Sequence, residues 1–354
     1  MAATDAAWVR DHLVTYGHSF LAETGLTDPA DYYARRIAAE FGMQYPTNTN
    51  GGVNKRAVGG SFAESAADVM LTGNPWIPDK RHGSNKVLLI QALINTARKN
   101  GADPATRQGA EHALRTMCAL AGSLETIPEY AAGFFDYSPG WAGATSPDFH
   151  GGRYEATSTP GAHVEFTVPS DGCHFLTVGR KAGLAGTVVE FKRLDTGAVI
   201  RTWSNEDQAQ AGIARNYVAA AIPLRVPAGT RVRVTLVSGP NLVCDGLIVP
   251  AARPGPVLLM KEPYLDDYSL STAFQNGSDA ALDYFNTIMD TMAAEFPNVI
   301  VADPNTAGYW DKATHILPDG VHPNADGHAA LRDTMLDAIS TTLARKSLEA
   351  GLYL

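Results

Sequence analysis

Near the C-terminal end of the 354-residue chain, Asp319 stands three residues before His322, in Asp319-Gly-Val-His322-Pro-Asn-Ala-Asp-Gly-His328. Gly320 and Pro323 mark a turn. A carboxylate so placed can fold back onto one nitrogen of the imidazole, fixing its tautomer and leaving the other nitrogen to take a proton. A serine hydroxyl is a weak nucleophile at neutral pH and needs such a base beside it. Ser19 is the serine in the right kind of place. It follows the apolar run Leu13-Val14-Thr15-Tyr16, within Gly17-His18-Ser19-Phe20, and ligands of open parallel sheets sit at the carboxyl ends of strands.

An acyl-transfer site also needs donors for the oxyanion. Gly60, in Asn54-Lys-Arg-Ala-Val-Gly-Gly-Ser61, can offer a backbone N–H where a side chain would block close approach. Asn95, directly after the apolar run ending at Ile94, can offer its amide. Each position also has a plainer reading. Ser19 fits a turn or helix cap, Asp319 an Asx-turn, Gly60 a turn, and Asn95 a polar strand end. A metal site through His322, Asp326 and His328 is a further reading, but a His–His spacing of six does not align two ligands on one helical face. Ser61, in Gly59-Gly60-Ser61-Phe62-Ala63, nearly matches the Gly-x-Ser-x-Gly nucleophile turn, with Ala in the last place and no strong strand before it.

These residues need elements to hold them. Residues 1–137 alternate short apolar runs with helical patterns. Leu13–Tyr16 reads as a strand. Asp28 and Pro29 open a helix whose face carries Tyr33, Ile37 and Phe41, stopped by Gly42. The mostly apolar run Lys86–Ile94, with little alternation, has the texture of a strand covered on both faces. Asp103-Pro104 opens another helix, striped by Ala110, Leu114, Met117 and Cys118.

Residues 138–253 change texture. His163–Val168 and Arg231–Leu236 alternate polar and apolar, and turn signals such as Thr159-Pro-Gly and Ser170-Asp-Gly separate several short strands. That predicts an antiparallel β-sandwich. Trp141, Tyr154, Trp203 and Tyr217 could stack on sugar faces there, or simply fill the core. From 254 to 354 the first texture returns: Val257–Met260 and Val299–Ala302 as strands, Ser278 and Asn324 as helix caps. The β module thus reads as an insert within one α/β domain.

Composition narrows the function classes. Lys+Arg number 28 and Asp+Glu 37, giving a formal charge of −9. An acidic chain without a basic run suits neither a phosphate backbone nor anionic lipid. Three cysteines, Cys118, Cys173 and Cys244, form no CxxC pair; a Cys173–Cys244 bridge stays open, since both fall in the same predicted β region. No stretch reaches about 18 uninterrupted apolar residues, so no membrane insertion is expected. The N-terminus shows no signal peptide, and the expected location is virion-associated or cytoplasmic.

In the order Ser19, Gly60, Asn95, Asp319-x-x-His322, the chain resembles the SGNH (GDSL-like) hydrolase family, over about residues 10–137 and 254–345. Ser19 matches that family's block-one nucleophile, Gly60 and Asn95 its oxyanion donors, and Asp319 and His322 its last block. The chain departs from the pattern with His18, Leu93 and Thr96 where the family usually has Asp, Gly and Asp; Asn74 is a fallback for Asn95. The resemblance implies a three-layer α/β/α fold with a doubly wound, flavodoxin-like parallel sheet. It implies ester hydrolysis through an acyl-enzyme, without metal or cofactor. The preferred substrate is an acylated surface polysaccharide or glycolipid. Two alternatives stand beside it: a lipase or thioesterase on soluble acyl substrates, and a glycan-binding or structural phage tail protein on a weakly active scaffold. The overall layout resembles minor tail proteins of actinobacteriophages that carry such a domain. Homo-oligomer or virion assembly is compatible with either.

Overall fold

Leu13, Val14 and Tyr16 are apolar and fully buried in one strand, and that strand defines the layout of everything around it. A computed structural model of the chain describes residues 12–45, 57, 62–72, 86–146, 149, 152–181, 186–205, 217–252, 254–269 and 274–351. In chain order the elements begin with β1 (His12–Gly17), α1 (Tyr33–Glu40), α2 (Ala63–Thr72), β2 (Lys86–Gln91) and α3 (Ile94–Asn100). Next come α4 (Pro104–Ala121), β3 (Ser123–Ile127), β4 (Asp136–Tyr137), β5 (Trp141–Thr145), β6 (Arg153–Thr157), β7 (His163–Thr167) and β8 (His174–Lys181). Then follow β9 (Val188–Arg193), β10 (Val199–Ser204), β11 (Tyr217–Pro223), β12 (Arg231–Ser238), β13 (Leu242–Cys244) and β14 (Gly246–Pro250). The chain closes with β15 (Val257–Met260), α5 (Asp279–Glu295), β16 (Val299–Ala302) and α6 (Ala325–Gly351).

The result is a mixed α/β protein with one parallel sheet and several antiparallel ones. It divides into two compact units: residues 1–66, 84–103 and 255–354, and residues 67–83 and 104–254. The helix after Asp103 therefore groups with the antiparallel strands, although its sequence texture matches the flanking segments.

In the first unit the strands run in the order β1-β2-β15-β16, all parallel. A parallel bridge between His12 and Gln44 extends pairing beyond β1 on its other side. The chain thus leaves β1 one way, through α1 to Gln44, and then crosses back to β2. That reversal is a topological switch point, and the crevice beyond the strand ends there is where open α/β sheets hold ligands. Helix α1 packs with α6, and α3 packs with α5. The helix expected from Pro29 is instead a short 3-10 turn (Pro29–Asp31), capped by Asp28, followed by α1. Ser278 caps α5 by accepting the Ala281 N–H at 3.0 Å, and Asn324 accepts the Gly327 N–H at 2.8 Å at the start of α6.

In the second unit the sheets β10-β9-β12-β7-β4 and β11-β8-β14-β3 share one core, built from Val164, Phe166, Phe191, Val232 and Val234 on one side and Phe175, Ile222 and Leu247 on the other. Helix α4 lies against β11, where Thr116 Oγ1 donates to the Ala219 carbonyl and accepts from the Ala221 N–H. Cys118, Cys173 and Cys244 are all buried, and Cys173 and Cys244 form no disulfide, so the open pairing between them is not made. No helix among the described residues is long and apolar enough to cross a membrane.

Candidate active site

Gly17 ends β1 at φ +156°, and a Cβ there would overlap the Gln91 carbonyl oxygen at the end of β2. Only glycine lets the two strand ends meet this closely. His18 N–H then donates to that same carbonyl at 3.2 Å, turning the chain, and Ser19 sits immediately beyond, with 8% of its surface exposed. The N–H groups of Leu21 and Ala22 bond to the His18 carbonyl, and that of Thr24 to the Ser19 carbonyl, winding the segment after Ser19 into a helical turn. Arg35 clamps Glu23 in that turn with two bonds of 2.7 and 2.8 Å.

The turn rests on a buried pair that sequence reading passed over. His18 Nδ1 accepts the Phe20 N–H at 3.4 Å, and its Nε2 bonds Glu262 Oε2 at 2.9 Å, with both side chains fully buried. Glu262 Oε1 accepts the Leu93 N–H at 2.6 Å. Its main chain is held by Asn286 and Asn305. One carboxylate thus joins the ends of β1, β2 and β15. The sequence signals the pair only through His18, set directly before Ser19; nothing local points to its partner.

Opposite lies the Asp319–His322 turn. Asp319 Oδ2 bonds His322 Nδ1 at 2.6 Å, while Oδ1 accepts the N–H groups of His322 and Val321 at 2.9 and 3.0 Å. Burial pushes the Asp319 carboxyl up, but these N–H donors and the imidazole outweigh it and hold the carboxyl below its usual range. Gly320, at φ +70°, makes the turn possible, and Leu317 and His322 close it with a 2.8 Å bond. The Phe20 ring meets the His322 ring edge-on, centroids 6.0 Å apart, which puts the neighbour of Ser19 against the imidazole. No hydrogen bond joins Ser19 Oγ to His322 Nε2 in this state. Such bonds are commonly long before substrate binds.

Asn95 falls in the first turn of α3, at 4% exposure, because β2 ends at Gln91 and not at Ile94. Gly60, Ser61, Asn74 and the Tyr217 side chain lie outside the described residues. The metal reading of the C-terminal segment does not hold. His328 is fully buried between the rings of Tyr32 and Tyr33, with Nδ1 accepting the Tyr33 N–H, and no group of three His, Cys, Asp or Glu among the described residues could hold a metal ion. Burial, reinforced by the charges of Arg36 and His322, drops its pKa to about 3.

In the second unit Trp203 is a core residue. It is 7% exposed, packs in the core of that unit, and donates its indole N–H to His112 Nε2 at 3.4 Å. Trp141 is half-buried, 5.0 Å from the Tyr137 ring, with its N–H on the His163 carbonyl. Tyr154 stacks on Phe149 at 4.0 Å.

No protein-family model and no curated protein sequence matches the chain. Solved structures that resemble it in part include esterases and carbohydrate-binding modules. Porcine torovirus hemagglutinin-esterase is 10% identical over 93% of this chain and 88% of its own, at a TM-score of 0.39. A two-domain esterase active on acetylated mannans, crystallised with mannopentaose, is 9% identical over 68% of this chain and 92% of its own, at 0.33. A carbohydrate-binding module of Cellvibrio mixtus lichenase 5A is 14% identical over 37% of this chain and 99% of its own, at 0.28. Scores and identities this low carry no chemistry across.

Proposed function

We propose that the first unit is a serine esterase of SGNH type, a three-layer doubly wound domain that hydrolyses carboxylic esters through an acyl-enzyme. The observation that carries the reading is the 2.6 Å Asp319–His322 bond on a turn set against the Ser19–Phe20 segment, at the sheet's switch point. His322 Nε2 takes the Ser19 proton as Oγ bonds to the ester carbon. The resulting oxyanion is held by the N–H groups of Ser19 and Gly60 and the Asn95 amide. The intermediate collapses, the C–O bond to the alcohol breaks, and the alcohol leaves with the proton from His322. Water then repeats the sequence on the acyl-serine and releases the acid. Asp319 keeps Nδ1 protonated throughout and stabilises the imidazolium.

The substrate proposed is an acylated surface polysaccharide or glycolipid. Trp141 in the second unit is a proposed sugar contact.

The test is labelling of the intact protein with a fluorophosphonate, followed by peptide mapping, beside turnover of a short-chain 4-nitrophenyl ester. The label is expected on Ser19. Ser19→Ala and His322→Ala are expected to lose essentially all turnover above background, about 10³-fold or more. Equal rates in all three proteins would overturn the reading and leave a binding or tail-structural role for the scaffold.

A further inference from the structure

Arg98 is a charged side chain that the proposed reaction does not use. It lies in α3 three residues after Asn95, a spacing that puts both on one helical face, with Cβ atoms about 5–6 Å apart. Only 5% of its surface is exposed. The Phe274 ring covers one side of the guanidinium, 5.1 Å from its central carbon, and the Asn276 N–H holds the Arg98 carbonyl at 2.8 Å. Gly277 passes so near that a Cβ there would come within 3.2 Å of the Arg98 Cα. The side chain is therefore fixed by its surroundings.

A guanidinium carries five N–H donors, and a buried one ordinarily spends them on carboxylates. Arg98 does not. Its Nε is buried without a hydrogen-bond partner, and no carboxylate among the described residues forms an ion pair with it. The acids nearest in the electrostatic sense, Asp319 and Asp267, are committed elsewhere. Asp319 is held by its own turn and by His322. Asp267 accepts from the N–H and hydroxyl of Ser269, and its own N–H donates to the Gly320 carbonyl, which fastens this loop to the Asp319 turn. Tyr268 donates to Asp279. A cation buried beside a candidate catalytic centre, with its Nε unspent and its neighbours occupied, costs free energy unless something completes it.

We propose that Arg98 receives a carboxylate carried by the substrate itself, so that the preferred esters are those of acidic molecules. The inference rests on the esterase reading and sharpens its substrate class. The carboxylate sits on the sugar, as in an acetylated uronic acid, or on the acyl group, as in a hemisuccinate; the chemistry at Arg98 is the same.

The test uses the full chain and two matched pairs of esters. One is mono-acetylated methyl glucuronoside against mono-acetylated methyl glucoside. The other is 4-nitrophenyl hydrogen succinate against 4-nitrophenyl acetate. A charge-assisted hydrogen bond of about 1.5–3 kcal/mol corresponds to a preference of about 10–100-fold in kcat/KM for the acidic member of at least one pair. Which pair shows it identifies the source of the carboxylate. Arg98→Gln is expected to bring that ratio close to one, and Arg98→Lys to keep part of it. Raised salt is expected to shrink it in the unaltered protein, a readout independent of whether a variant folds.

Absence of preference in both pairs overturns the inference while Ser19 labelling leaves the esterase standing. So does an equal fall of both members in Arg98→Gln. Absence of Ser19 labelling and of turnover removes the esterase and this inference together.

Discussion

Asp319 shows how much one side chain can set. Its two oxygens do different jobs: Oδ1 caps the turn through two N–H groups, and Oδ2 holds the imidazole. Asp319→Asn separates them. The amide oxygen can still accept from Val321 and His322, so the turn survives. The amide N–H₂ then faces Nδ1, forcing that nitrogen to accept and placing the ring proton on Nε2, where the base should be. Turnover is expected to fall about 10³–10⁴-fold with the folded circular-dichroism spectrum retained. A loss of less than tenfold would mean Asp319 does not orient the base. This pair was legible in the sequence because the contact is local, three residues across a glycine turn. Glu262 was not, because it meets His18 across 244 residues and no pattern within either segment encodes that meeting.

The ends of β1, β2 and β15 are only as well placed as the Glu262 carboxylate that ties them. Both of its oxygens accept, one from Leu93 N–H and one from His18. Since His18 Nδ1 is already an acceptor for Phe20, its Nε2 carries the proton toward Glu262. Glu262→Gln replaces one acceptor by a donor, so one buried N–H is left facing another. The expected cost is about 1–3 kcal/mol of stability, read as a lower urea midpoint, with slower turnover because the Ser19 turn loosens. A stable variant with unchanged turnover would show the knot to be dispensable. Element by element, the caps at Asp28, Ser278 and Asn324 were readable because a cap is a matter of a few adjacent residues. The end of β2 was not. Lys86–Ile94 is a mostly apolar run, and the single polar residue Gln91 does not by itself mark where a buried strand gives way to the buried first turn of a helix. The consequence reaches the site, because Asn95 belongs to a helix shared with Arg98 and not to a strand end.

At the scale of the whole chain, the sequence texture changes near residue 138, whereas the compact units divide at Pro104. The stripe of α4 showed that one face is buried, not which sheet buries it; that is decided by contacts such as Thr116 with Ala219 and Ala221. Each unit also encloses a histidine that burial keeps neutral, with a pKa of about 3: His328 in the first, His112 in the second. An unfolded histidine takes up a proton near pH 6.5. Between that value and 3 the unfolded chain therefore binds more protons than the folded one, and stability must fall as pH falls. Each histidine contributes a slope of up to about 1.4 kcal/mol per pH unit in that window. Asp319 acts in a separate range, since a lowered carboxyl loses its contribution only below the ordinary carboxylate values. Glu129, raised by burial, opposes His112 in the second unit, because its folded form takes up a proton first. The cleaner measurement is thus on the first unit. Urea unfolding of the intact chain between pH 7.5 and 5, followed by fluorophosphonate labelling of Ser19 as the probe of that unit, is expected to show the decline. His328→Gln is expected to be less stable at pH 7.5 but to lose most of the slope. A slope unchanged by that substitution would mean that His328 does not remain neutral in the folded protein.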